Sequence, residues 1–234
     1  MPEIAALAEQ LFGPGVAVVA VAVAIGSGEA PWPEEAAAVR RARPSRQAEF
    51  AAGRHAARAA MVRLGLPALP VPQAADRAPV WPAGLRGSIS HDADLAVAAV
   101  SRGGADLGLD IEPAQPLEPE LWAEIALPGE IEALAPLPAL SRGMAARLLF
   151  CAKEAAYKAW YSGAREVIGF DAMRIEVAGD RVLAWPRAAR EPLRGGWGMA
   201  EGRFVVAIRS VPGFKAGNTA LIGQGPMARW RPEG

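Results

Sequence analysis

An α+β fold made of two similar halves is what this sequence predicts, and three observations carry the prediction. Residues 150–160, Phe-Cys-Ala-Lys-Glu-Ala-Ala-Tyr-Lys-Ala-Trp, are good helix formers, with Phe150, Tyr157 and Trp160 spaced for one apolar stripe. Residues 50–60 align with that stretch at an offset of 100; four positions are identical and Arg58 stands opposite Lys158. The strand-like segments 97–101 and 206–210 echo each other in the same order. Alanine-rich helices match one another by chance, so the helix echo alone is weak. A duplicated α+β unit explains both echoes together. The expected division is an N-terminal half over residues 1–105, a C-terminal half over 106–212, and a Gly/Pro-rich tail over 213–234.

Taken in order, residues 1–12 suit a short helix, and Gly13-Pro14-Gly15 ends it. The apolar run from Val16 to Ile25 is ten residues, too short to span a bilayer, and no lysine or arginine precedes Arg40, so no signal peptide is read here. Its valines suit a strand buried on both faces. Residues 34–64 read as one or two helices interrupted near Pro44, with Arg40, Arg41, Arg43 and Arg46 as a basic cluster on a solvated face. Proline and glycine make 66–87 a loop. Residues 87–91 then lead into a strand at 95–100, and the Gly103-Gly104 turn suggests a hairpin with a second strand at 107–113. Residues 114–146 suit helices broken by Pro128, Pro136 and Pro138. Strands are expected at 173–178, 182–185 and 204–210, and little regular order is expected in the tail from Gly213.

Composition excludes several classes of function. Lysine plus arginine number 25 and aspartate plus glutamate 25, so no global field draws nucleic acid or an anionic membrane. Cys151 is the only cysteine, which forbids an internal disulfide and points to a reducing compartment. Both histidines lie far from it in sequence, so it reads as helix packing rather than a nucleophile. The expectation is a soluble, cytoplasmic protein.

Four segments carry candidate chemistry. Asp110 and Glu112 are two apart in a predicted strand, so their carboxylates leave one face, and hard oxygens at that spacing suit Mg²⁺. A solvated edge pair has the same pattern; the apolar Leu107, Leu109 and Ile111 argue for burial. Glu154 and Lys158, four apart, share a helix face, which also describes an ordinary intrahelical ion pair. Ser90-His91 follows a glycine-containing segment, and histidine can donate to a phosphate oxygen. Arg54 lies among small residues, where a guanidinium could clamp a phosphate bidentately. As a set, these groups fit Mg²⁺-dependent transfer involving a pyrophosphate. They do not name the substrate, and they leave open a non-catalytic coenzyme A or nucleotide binder and a Mg²⁺-dependent phosphohydrolase.

Three blocks resemble the 4′-phosphopantetheinyl transferases of the monomeric type. They are Ala48-Glu49-Phe50-Ala51-Ala52-Gly53-Arg54 running on to Ala60, Trp81-Pro82-Ala83-Gly84 through Ser88-Ile89-Ser90-His91, and Gly108-Leu109-Asp110-Ile111-Glu112 with Phe150-Cys151-Ala152-Lys153-Glu154 through Lys158. The resemblance covers roughly residues 35–210, and the order and spacing of the blocks make it specific. Cys151 stands where serine is commoner. The resemblance implies two α+β halves related by a pseudo-twofold, with the active site in the cleft between them. It implies a Mg²⁺ ion held by Asp110, Glu112 and Glu154 against the pyrophosphate of coenzyme A, with Glu154 or a metal-bound water as base. It implies that Ser90 and His91 contact phosphates of coenzyme A and that Lys158 neutralises the pyrophosphate. Arg54 and Arg46 would hold the 3′-phosphate, with Arg77 a further phosphate contact. The activity implied is transfer of phosphopantetheine to a serine of an acyl or peptidyl carrier protein, releasing 3′,5′-ADP. Whether that carrier serves siderophore, nonribosomal peptide, polyketide or fatty-acid synthesis is not in the sequence.

Overall fold

The structure, a computed structural model, describes residues 1–26, 28–134, 137 and 140–210. The tail expected from Gly213, and Pro136 and Pro138, lie outside the described residues. The helices are α1 (Pro2–Phe12), α2 (Pro33–Ala36), α3 (Pro44–Arg63), α4 (Trp122–Ile125), α5 (Glu130–Leu134) and α6 (Arg142–Ala164). The strands are β1 (Val16–Ala22), β2 (Leu85–His91), β3 (Leu95–Arg102), β4 (Leu107–Pro113), β5 (Met173–Ala178), β6 (Arg181–Pro186), β7 (Leu193–Ala200) and β8 (Arg203–Arg209). The first three strands form one antiparallel sheet in the order β1-β3-β2, and the other five form a second in the order β4-β8-β7-β6-β5. The predicted α+β architecture of two sheet-and-helix halves is what the chain adopts.

Local chemistry explains the helix ends. Pro44 opens α3 rather than interrupting a longer helix, because a proline at the first helical position gives up an N–H that has no intrahelical partner. Ser141 caps α6, its hydroxyl accepting from the Met144 N–H, and Arg165 closes it in the left-handed conformation. α3 packs its alanines and Met61 against Ala98 and Val100 of β3, while α6 packs against Phe204, Val206 and Ile208 of β8. Between the sheets lies a third apolar layer, in which Val97 and Ala99 meet Leu107, Leu109, Ile111 and Val205 under the cover of α1. β3 is therefore buried on both faces. The echoed segments 50–60 and 150–160 sit in α3 and α6, and 97–101 and 206–210 fall in β3 and across the end of β8.

Three expectations need correction. β3 and β4 are not a hairpin: β3 pairs with β1 and β2, and β4 pairs with β8. The Gly103-Gly104 turn carries the chain from one sheet to the other. β2 begins at Leu85, inside the stretch read as loop, and pairs with β3 from Leu85↔Arg102 to His91↔Ala96. β1 is an edge strand that stops at Ala22; it is buried at Val16–Val18 but more open beyond, and Ile25 is exposed.

Candidate active site

β4 and α6 meet at a seam that one glycine permits. A Cβ on Gly108 would lie 1.8 Å from the Ala155 carbonyl oxygen and 2.8 Å from the Ala159 nitrogen, so only glycine lets the strand approach the helix backbone. Strand alternation then turns Leu109 and Ile111 into the layer between the sheets and Asp110 and Glu112 toward α6. The other edge of β4 is closed by side chains of β2 instead of a backbone ladder. The Leu109 N–H donates to Ser88 Oγ at 2.9 Å, and the Ile111 N–H donates to Ser90 Oγ at 3.2 Å.

Asp110 is the centre of the polar groups. Its Oδ1 accepts from Ser90 Oγ at 2.8 Å and from Lys158 Nζ at 2.7 Å; its Oδ2 is buried with no hydrogen-bond partner among the described residues. Lys158 also donates to the Leu109 carbonyl at 3.1 Å. Its ion pair is thus with Asp110 across the seam, not with Glu154 one turn back. Burial would pull the Lys158 ammonium down, but Asp110 and Glu154 outweigh it and hold it above the usual lysine range. Burial, with Asp110 adding, pushes Glu154 up to about 7. The same two causes push Glu112 up to about 7, although Arg147 Nη1 donates to its Oε2 at 3.0 Å. Burial, Asp110 and Glu112 also raise the Cys151 thiol, which hydrogen-bonds Asp110 as well, so it is a buried neutral group rather than a nucleophile.

A cationic cluster stands beside this seam. His91, at the end of β2, places Nε2 2.6 Å from Arg46 Nη1 and Nδ1 3.7 Å from Glu49 Oε2. Burial and then Arg46 lower its pKa against the opposing Glu49 carboxylate, with Lys158 lowering it further and Asp110 opposing. The ring is neutral, accepts at Nε2, and carries its proton on Nδ1. Arg54 is buried, donates from Nε to the Val71 carbonyl at 2.7 Å and lies over the Phe50 ring at 4.1 Å. Burial lowers it to about 10, with Arg46 contributing, so the two guanidinium groups feel each other.

The structure thus brings together Asp110, Glu112, Glu154, Lys158 and Ser90, with His91 and Arg46 adjoining and Arg54 next to Arg46. Ser90, as it stands, donates its one proton to Asp110. Arg77 is apart: it is exposed, at φ 71°, in the loop before β2. Its neighbour Asp76 accepts from the Tyr161 hydroxyl of α6 at 2.5 Å.

The sequence reading missed several partners. Arg147 was passed over, though positions 147, 151, 154 and 158 fall on one helical stripe and that spacing was available. Arg58 was read only as the counterpart of Lys158; it is buried and binds both carboxylate oxygens of Glu35, at 2.9 and 2.7 Å, over the Trp32 ring. Lys153 is fully buried on Glu130 at 2.7 Å and the Phe170 carbonyl at 3.0 Å, so of the two motif lysines only Lys158 reaches the seam.

The donor set fits the Mg²⁺ that the resemblance implies. Three carboxylates face two cations, Lys158 and Arg147, which leaves Asp110 Oδ2 without a donor and keeps two carboxyl groups near 7. An added divalent cation answers both features. Among the described residues no three carboxylate, imidazole or thiol groups are gathered tightly enough to hold a metal as they stand, so an ion would have to draw Glu112 or Glu154 inward. The hollow between α3 and residues 21–31, about 420 Å³, includes none of the three carboxylates in its lining. Charge rather than concavity marks the seam.

Two family models match most of the chain between them. A family model described as the 4′-phosphopantetheinyl transferase N-terminal domain matches residues 34–101, and one described as the 4′-phosphopantetheinyl transferase superfamily matches residues 106–187. The chain is 41% identical over 190 residues to 4′-phosphopantetheinyl transferase Svp of Streptomyces mobaraensis, covering 76% of this chain and 77% of that protein. It is 35% identical over 202 residues to 4′-phosphopantetheinyl transferase PptT of Mycobacterium tuberculosis, covering 77% and 86%. Enterobactin synthase component D of Escherichia coli is 39% identical over 130 residues, covering 55% and 61%.

Proposed function

Because the chain belongs to the 4′-phosphopantetheinyl transferase superfamily, we propose that the β4–α6 seam, with Arg46, Arg54 and His91 beside it, is where it handles its donor. The protein transfers 4′-phosphopantetheine to carrier proteins, with coenzyme A as the donor substrate. The acceptor is a serine hydroxyl and the product released is 3′,5′-ADP. The matched segments 34–101 and 106–187 support a division of the chain near residue 105, with coenzyme A lying across the join.

The residues divide the work by charge. Asp110, Glu112 and Glu154 would hold Mg²⁺, which when bound offsets charge on the pyrophosphate. Lys158 stays protonated through neutral pH and places a fixed cation beside the same phosphates. His91, neutral, turns toward a phosphate with Arg46, and Arg54 holds the 3′-phosphate from its buried position on α3. Glu154 at about 7 is within range to accept the serine proton once it is deprotonated. Ser90 positions Asp110 through its hydroxyl and reaches a phosphate only by releasing that bond. In the described residues no helix is long and apolar enough to cross a membrane; a monomer working without membrane or nucleic acid is part of this proposal.

The observation that carries it is the buried, unpartnered Oδ2 of Asp110 beside a lysine and two carboxyls held near 7. The test is mass spectrometry of apo carrier proteins incubated with the enzyme, coenzyme A and Mg²⁺. A gain of one phosphopantetheine is expected. No gain on any of several acyl and peptidyl carriers, with phosphate released from coenzyme A alone, would favour a phosphohydrolase instead.

A further inference from the structure

On the far face of the second sheet, away from the carboxylates, three arginines meet without an acid. Arg194 of β7 is directly opposite Arg209 of β8, and the register that pairs Arg181 of β6 with Gly196 places Arg181 diagonally from Arg194 on the same face. Like charges in direct cross-strand opposition destabilise a sheet, so this arrangement runs against the stability of the strands that carry it. The face is the one α1 covers: a Cβ on Gly196 would meet Leu11 at 2.9 Å, and one on Gly198 would meet Leu7 at 3.1 Å. α1 ends at Phe12, before it reaches Arg194, and Arg209 donates to the Phe12 carbonyl at 2.8 Å. Beyond that end opens a cavity of about 500 Å³ lined by Arg181, Arg194, Arg209, Gly104 and Ser210, with no acidic side chain in its lining. Among the described residues no ion pair joins any of these three arginines to a carboxylate, whereas Arg46, Arg58, Arg63, Arg86, Arg147 and Arg203 each have one.

We propose that the Arg181–Arg194–Arg209 cavity is a second anion site, taking a phosphoryl-bearing anion of at least two negative charges such as a diphosphate. The cluster is made only of guanidinium groups, whose planar forks match phosphate oxygens two at a time. Arg209 is anchored by the helix end and Arg181 and Arg194 are exposed, so one group is fixed and two can close on the ligand. The cavity lies on the opposite sheet face from Asp110 and shares no residue with the seam.

Calorimetric titration of the full chain with inorganic pyrophosphate tests this, comparing the wild type with Arg181→Ser/Arg194→Ser and with Arg54→Ala. Both replaced residues of the double variant are exposed, and its melting temperature should equal or exceed that of the wild type. Expected is at least tenfold weaker pyrophosphate binding in the double variant, with carrier labelling unchanged and with binding to this site retained in Arg54→Ala. Wild-type affinity in the double variant, loss confined to Arg54→Ala, or no binding to the wild type would each overturn the assignment. Succinate binding as tightly as pyrophosphate would reject the phosphoryl class.

Discussion

Replacing Lys158 by Met removes the one ammonium bonded to Asp110 and leaves that carboxylate, only 4% exposed, with only the uncharged Ser90 hydroxyl and Cys151 thiol. Breaking a buried ion pair by deleting one partner costs about 3–5 kcal/mol. The Lys158 side chain is 27% exposed, so water relieves part of that cost, and about 2–4 kcal/mol is expected for the metal-free protein. In a chain of this size each kcal/mol moves the melting temperature by about 2–4 °C, which gives a drop on the order of 5–15 °C. The magnitude has an internal control: Asp110→Asn/Lys158→Met removes the stranded charge and should recover about 2 kcal/mol relative to Lys158→Met. Mg²⁺ should stabilise Lys158→Met more than the wild type, since an ion that binds only the folded state replaces the missing charge. Urea unfolding with and without Mg²⁺ measures all three quantities. A Lys158→Met protein within about 0.5 kcal/mol of wild type, or a double variant no more stable than the single, would refute the reasoning.

Three further outcomes follow from the same geometry. Glu112 and Glu154 sit at about 7, above the ordinary 4.5, so the folded protein binds protons between those values that the unfolded chain does not; metal-free stability should fall as pH rises from about 5 to 8, while Mg²⁺ affinity rises. Calorimetry at pH 6 and 8 should show Mg²⁺ binding about ten- to a hundredfold tighter at the higher pH, and a flat profile would contradict the shifts. Arg54→Ala should weaken coenzyme A about ten- to a hundredfold but 3′-dephospho-coenzyme A much less; equal losses would remove Arg54 from the 3′-phosphate. Gly108→Ala should force α6 off β4, lowering the urea midpoint by the equivalent of about 1–3 kcal/mol and abolishing labelling, and an unchanged protein would mean the close approach does not matter.

The parts legible in the sequence were those whose cause is local. α6 follows from its helix formers, and the same-face placement of Asp110 and Glu112 follows from a strand's period of two. β7 was missed because Leu-Arg-Gly-Gly-Trp-Gly-Met-Ala offers three glycines and little β propensity; it forms because Gly196 and Gly198 let α1 lie against it. The false β3–β4 hairpin came from reading Gly103-Gly104 as a tight turn. What decides that pairing is remote: β8, some hundred residues on, takes one edge of β4, and the hydroxyls of Ser88 and Ser90 take the other. Arg58 and Glu35 were invisible for a similar reason, being 23 residues apart and reading singly as solvated charges. The Asp110 partner of Lys158 across the seam could not be deduced from spacing on the helix.

The central claim is that Asp110, Glu112 and Glu154 share one cation at the seam. Counting bound Mn²⁺ by electron paramagnetic resonance, with coenzyme A present, tests it most directly. One tightly held ion per chain is predicted for the wild type, with the affinity falling sharply in each of Asp110→Asn, Glu112→Gln and Glu154→Gln. Three variants that all retain the ion as tightly as the wild type would contradict it.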